Sequence, residues 1–248
     1  LNGGELTFDP SGTAYANLVI GAHEEVSYSY TVSDGTASAT ADVDVEYCGA
    51  VNTLETIAAS LPSTGTISVS DDNSPGGVYY TTTISGTGDD RLDGKSFDIA
   101  YCLVQADVLY FEVDTPADIY LADESSIPSG ALAKPEHLDL VNWIINQGFE
   151  NMDNGDGTGA TYTEAEIQGA IWGLLDDLNW VPPGTGTREN ATEIMELAQA
   201  DGEGFTPGEG DVVGLFLLPT DAATPEDNDQ ASIIGVRFED LAQDCFCL

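Results

Sequence analysis

Tyr162-Thr163-Glu164-Ala165-Glu166-Ile167-Gln168-Gly169-Ala170-Ile171-Trp172-Gly173-Leu174-Leu175 is the stretch on which the fold turns. The chain before it alternates polar and apolar residues or breaks into acidic turns. Here the apolar positions 167, 170, 171, 174 and 178 fall on one helical stripe. Thr163 and Glu166 have capping-box spacing, and Tyr162 and Ile167 are placed as a hydrophobic staple, so a helix is predicted from Thr163 onward. Gln168 lies at the margin of the inward stripe. Trp172, one turn on, projects from the same margin, which sets a carboxamide beside an indole where water is partly excluded. The plainer reading is a glutamine on a helix flank.

Two further helices accompany this one. Lys134-Pro135-Glu136 starts the first, with Leu138, Val141, Ile144 and Ile145 as its stripe and Gly148 as its C-cap. The other runs from about Asn190 to Ala200, with Ile194, Leu197 and Ala198 inward and Gly202 after it. The helical insert thus occupies about 134–201. Strands are predicted before it at Gly65–Ser70, Val78–Ser85, Phe97–Val104 and Val108–Val113, and after it at Val212–Leu218 and Ser232–Phe238. Residues 1–47 read as strands at Glu5–Phe8, Ala14–Ile20, Glu25–Val32 and Thr36–Tyr47, with a hairpin turn at Asp34-Gly35. The fold class is therefore mainly β with a helical insert (α+β): a β-sandwich-like segment over 1–47, then a β/α domain over 48–248.

The 248 residues carry 5 Lys+Arg against 44 Asp+Glu, a formal charge of −39, yet 42% are hydrophobic. That is too apolar for a disordered acidic tail. Nucleic acid and anionic membrane are excluded as partners, because binding either needs clustered cations. Abundant carboxylates suit a salty or calcium-rich setting. No run approaches the roughly 20 apolar residues that span a bilayer. The start, Leu1-Asn2-Gly3-Gly4, suggests a piece of a longer chain. No Gly-x-Ser-x-Gly, His-Glu-x-x-His or phosphate loop occurs, and the two histidines, His23 and His137, fall in different segments. Asp153-Asn154-Gly155-Asp156-Gly157 resembles a calcium loop, with Asp153 and Asp156 as candidate metal ligands, although an EF-hand register would place Met152 at the first ligand position. A solvated acidic turn is the competing reading, there and at Glu226-Asp227-Asn228-Asp229.

Four cysteines occur, at 48, 102, 245 and 247. Cys102 stands on the apolar run Ile99-Ala100-Tyr101-Cys102-Leu103-Val104, where a buried free thiol and a disulfide are both open. Tyr101-Cys102 together with Gln168-Gly169-Ala170-Ile171-Trp172 resembles the thioester domains of bacterial surface adhesins, whose signature is Tyr-Cys on a strand and a later Thr-Gln-x-Ala-Ile-Trp helix. Leu140 to Gly148 and Ile233-Ile234-Gly235-Val236 are similar to that family as well. Ile167 departs from the pattern, standing where the family has Thr. Leu6 to Pro10 and Tyr28 to Gly35 resemble the end of a cadherin-like, VCBS-type repeat of large bacterial surface proteins.

The first resemblance implies an internal thioester between Cys102 and Gln168, with Tyr101 and Trp172 shielding it. Gln105, at Cys-x-x-Gln spacing, is the rival acyl donor and lacks the helix context. The implied function is an adhesin domain that attaches covalently to an amine, usually Lys, on a host or surface target. It is a single-use reagent, not a turnover enzyme. No cofactor is required and Ca²⁺ is possible. The setting is extracellular, at the cell surface, with neighbouring stalk domains. If Cys102 is consumed, Cys48 is left to pair with Cys245 or Cys247, closing a loop worth on the order of 5 kcal/mol. The alternative is a noncovalent calcium-stabilised adhesin or glycan-binding β-rich module in which Cys102 and Gln168 only pack.

Overall fold

The structure, a computed structural model, describes residues 23–48, 53–71, 80–104, 111, 113–176, 180–220 and 230–242. The chain divides into two compact units, Leu61–Leu241 and a smaller one of Leu1–Ser60 with Ala242–Leu248. The predicted strands within 1–22, the acidic run 226–229, Gln105, Cys245 and Cys247 lie outside the described residues, as does the side chain of Cys48.

In the smaller unit, β1 (His23–Ser33) and β2 (Ser38–Cys48) form an antiparallel hairpin in continuous register from His23↔Cys48 to Ser33↔Ser38. The loop is four residues long rather than a two-residue Asp-Gly turn. Asp34 Oδ1 accepts the N–H groups of Thr36 and Ala37, each at 2.8 Å, and Gly35 takes the left-handed φ of +88°. One face is a polar ladder of Ser27 to Asp44, Ser29 to Asp42 and Thr31 to Thr40 hydrogen bonds. The other carries Tyr28, Tyr30 and Val32, all partly exposed. A short helix, α1 (Leu54–Ser60), follows. It is too brief for its period to be read from sequence.

The larger unit contains β3 (Thr64–Asp71), β4 (Tyr80–Ser85), β5 (Ser96–Phe97), β6 (Ala100–Cys102), β7 (Asp114–Leu121), α2 (Leu138–Gln147), α3 (Glu164–Asp176), α4 (Arg188–Asp201), β8 (Val212–Pro219), β9 (Ser232–Arg237) and the single-turn α5 (Phe238–Leu241). The strands make one antiparallel sheet in the order β5-β4-β3-β7-β8-β9-β6. The architecture is mixed α+β and mainly β.

Two sequence expectations change here. The single predicted strand Phe97–Val104 is two short strands at opposite ends of the sheet order. Phe97 pairs with Thr82 of β4, while Ala100 pairs with Ile234 of β9. Three residues of chain span at most about 11 Å, so the sheet must roll until its two edges nearly meet. A hydrophobic run reports burial but not which strands flank it, and that is why the break is invisible in the sequence. The predicted strand at 108–113 meets only Phe111, in a turn, and Val113, outside any strand; its other residues are not described. The next described strand is β7, which Asp114, Pro116 and Asp118 disguise, although Ala117, Ile119 and Leu121 alternate inward.

Register fixes which side chains share each face, because directly opposed residues project the same way. Ile67, Val69, Ile84, Ile119, Leu121, Leu215, Leu217, Ile234 and Val236 line the inside of the roll. Phe216 and Ile233 face outward into a second core built with α2, α3 and α4. Two amides bind α2 to β8. Asn142 receives the Gly214 N–H at 2.9 Å and donates to Ala122 O at 2.7 Å. Asn146 both donates to Val212 O, at 2.8 Å, and accepts its N–H, at 2.7 Å. The chain enters α2 through a 3₁₀ turn at Pro135–His137 and leaves at Gly148, whose φ of +67° is the expected left-handed cap. Helix α3 meets its neighbours through glycines. A Cβ on Gly173 would lie 2.4 Å from Met195 Sδ, and one on Gly169 would lie 2.8 Å from Val181 Cγ2.

Candidate functional site

Thr163 and Glu166 form the predicted capping box. Thr163 N–H donates to Glu166 Oε2 at 2.8 Å, and Glu166 N–H donates to Thr163 Oγ1 at 3.2 Å. The second carboxylate oxygen does what the sequence did not signal. It accepts from the Thr187 N–H and from Asn190 Nδ2, both at 2.8 Å, and Thr187 in turn N-caps α4. Glu166 is 2% exposed, so one buried carboxylate fixes the starts of two helices relative to each other. Tyr162 and Ile167, the predicted staple, are both buried in the helical core.

This scaffold delivers Gln168 to the edge of the sheet. Its side chain is 1% exposed and pairs with both backbone groups of one residue: Cys102 N–H donates to Oε1 at 2.8 Å, and Nε2 donates to Cys102 O at 2.8 Å. β6 ends the sheet order, so the carboxamide takes the place that the next strand would fill. The structure therefore brings together Cys102 and Gln168, residues 66 positions apart in the chain. Cys102 is a free cysteine, half-buried. Burial pushes its thiol up to about 11, while an interaction with the Tyr80 hydroxyl acts in the lowering direction.

The two aromatics chosen from sequence sit differently. Tyr101 alternates with Cys102, pairs with Ile233 and packs half-buried against the helical core, on the sheet face opposite the Cys102 side chain. Trp172 is buried one turn beyond Gln168, with its ring tilted against Trp180 at a centroid distance of 5.9 Å. Beside the cysteine strand is an open cleft of about 410 Å³. Leu103, Val104, Leu132 and Leu175 give it apolar walls, and Asp176 supplies its carboxylate. Neither that carboxylate nor Tyr80 was singled out from the sequence, because each acquires its neighbours only through the fold.

Asp153 and Asp156 are exposed, and both act within their own loop. Asp153 Oδ1 accepts the Gly155 N–H at 2.8 Å, and Asp156 Oδ1 accepts the Thr158 N–H at 2.7 Å. Among the described residues no group of three or more His, Cys, Asp or Glu side chains converges as a metal site. No helix among them is long and apolar enough to cross a membrane. His137 lends its Nδ1 to Leu174 O at 2.8 Å, linking the entry of α2 to the end of α3.

Residues 99–200 match the family model of the thioester domain, TED. Among solved structures, the chain is similar to the N-terminal thioester domain of a surface protein from Clostridium perfringens, at 13% identity and a TM-score of 0.43, over 70% of this chain and 100% of that one. It is similar to the N-terminal domain of the Streptococcus pyogenes pilus tip adhesin Cpa, at 11% identity and a TM-score of 0.42, over 71% of this chain and 94% of that one. The N-terminal thioester domain of the fibronectin-binding protein SfbI from Streptococcus pyogenes gives 11% identity and a TM-score of 0.41, over 75% and 97% of the two chains. No curated protein matches the sequence.

Proposed function

We propose that this chain carries a surface-adhesin thioester domain in which Cys102 and Gln168 join in an intramolecular thioester that then acylates an amine on a target. The observation that supports this most is the docking of the Gln168 carboxamide on the Cys102 backbone. Oε1 already accepts the Cys102 N–H, so a donor is in place where negative charge develops as the thiol adds to the amide carbon. Nε2 is held by Cys102 O until it leaves as ammonia. Atoms balance: the S–H proton departs on nitrogen, the C–N bond breaks and the C–S bond forms.

Fixing both groups on packed elements replaces a bimolecular encounter, and burial of Gln168 keeps water from the acyl carbon. With the thiol at about 11, only on the order of one molecule in ten thousand is ionised at pH 7. Proximity, not a permanently ionised sulfur, therefore drives formation. A target amine enters beside the cysteine strand, where the cleft's apolar walls and the Asp176 carboxylate suit a lysine side chain. It attacks the Gln168 acyl carbon, sulfur leaves and an isopeptide bond remains. Nothing regenerates the thioester, so the domain acts once and is a reagent rather than a turnover enzyme. Such a reaction belongs outside the cell, on a protein anchored by further stalk domains.

Intact mass tests the reading. Freshly purified protein is expected to be lighter than its sequence mass by one ammonia, after allowance for disulfide hydrogens, and to gain one methylamine at Gln168. A full-mass protein inert to methylamine sinks the proposal.

A further inference from the structure

Four buried side-chain atoms among the described residues have no hydrogen-bond partner: Tyr80 Oη, Thr82 Oγ1, Trp172 Nε1 and Ser232 Oγ. Such atoms are a standing cost to a fold and call for a reason. Three are hydroxyls, and register places all three on one face. Tyr80 and Thr82 are two apart on β4 and point the same way. Thr82 is opposite Phe97, the last residue before the sheet closes, and Ser232 is directly opposite Cys102. The Cys102 side chain thus projects to the inside of the roll, with the hydroxyl of Ser232 alongside it. Rolling the sheet also brings β4 against β6, so that Tyr80 and Cys102 face the same interior across the closure.

Packing gives no reason for these hydroxyls. Phe at 80, Val at 82 or Ala at 232 would fill nearly the same space without leaving an oxygen unpaired. Tyr80 is 3% exposed, and Thr82 and Ser232 are 0% exposed, so bulk water does not serve them. What this interior does contain is the sulfur that, on the proposed function, must gain and lose negative charge.

Resting on that function, we infer that Tyr80 is a catalytic residue of the thioester chemistry, the hydrogen-bond donor to the Cys102 sulfur, with Ser232 and Thr82 completing a polar lining around it. During formation the Tyr80 O–H bonds to sulfur while charge resides there and keeps its own proton; the thiol proton leaves with ammonia. During opening the amine attacks the acyl carbon and the C–S bond breaks with its electron pair on sulfur. Tyr80 passes its proton to Sγ and takes one from the amine nitrogen. The net result is one amide, one thiol and an unchanged tyrosine.

The test is Tyr80→Phe in the full chain, read by intact mass and by the rate of methylamine opening. Both formation after refolding and opening are expected to slow by about a hundredfold, with the melting temperature unchanged or raised, since the variant removes an unpaired hydroxyl. Site-specific fluorotyrosines at position 80 give a second readout, because opening rates should follow the acidity of the phenol and a merely structural ring would leave them flat. Wild-type rates in Tyr80→Phe, or a flat fluorotyrosine series should Tyr80→Phe fail to fold, overturn the assignment of Tyr80 alone. A wild type without the ammonia deficit removes the thioester itself, and the assignment with it.

Discussion

Asn146 and Gln168 stand on different helices, yet each lays its carboxamide against one strand residue, giving N–H to that residue's C=O and taking its N–H, at 2.7–2.8 Å. Asn146 does this to Val212 and Gln168 to Cys102. In both places the amide stands in for a missing strand and docks a helix on the sheet. The difference is the docked side chain: an isopropyl group has no chemistry, whereas a thiol is a nucleophile beside an acyl carbon. Bidentate amide docking thus occurs at both places, and on the proposed function reactivity is added to it by a single residue and by the exclusion of water.

The largest effect that separates the two sites is all-or-none. Gln168→Ala or Cys102→Ala should abolish both the ammonia deficit and methylamine uptake, while Asn146→Ala leaves both intact; mass spectrometry reads each. Val212→Cys presses the comparison harder by placing a thiol opposite Asn146. No second ammonia should be lost, because the shorter asparagine arm leaves its acyl carbon bound closely to the backbone. A second deficit would show that docking alone suffices for the chemistry.

Stability comes next. Asn146→Ala strips both Val212 backbone groups of their partner and should cost about 1–3 kcal/mol, seen as a melting temperature lower by several degrees. A smaller effect belongs to the free thiol. Burial raises Cys102 from 9.0 to about 11, so the folded state holds the proton more tightly than the unfolded one. Its contribution to stability is present below the unfolded value and is lost as pH rises towards 11. Gln168→Ala, which keeps the thiol, should therefore lose more stability between pH 9 and 11 than Gln168→Ala with Cys102→Ala. Equal alkaline melting curves would refute this. Smallest is calcium removal. The Asp153 and Asp156 carboxylates already accept local N–H groups, so chelation at matched ionic strength should barely move the melting temperature; a clear fall would put bound Ca²⁺ into the loop.

Features that depend on a few neighbouring residues could be read directly from the chain. The Thr163–Glu166 box, the Gly148 cap and the strand periods of β1, β2, β8 and β9 are decided within one or two turns or a short alternation, and all were legible. So was the pairing of a strand cysteine with a helix glutamine, through the resemblance carried by Tyr101-Cys102 and Gln168 to Trp172.

Long-range packing set the rest. It split Phe97–Val104 between two sheet edges, gave Glu166 a second helix to cap, put Tyr101 and Cys102 on opposite faces, and gathered three unpaired hydroxyls on the inner face of the sheet that Cys102 shares. Each of these follows from which distant strand or helix lies alongside. Periodicity states that a residue is buried, whereas register and sheet closure, set by contacts across the whole domain, state what it is buried against.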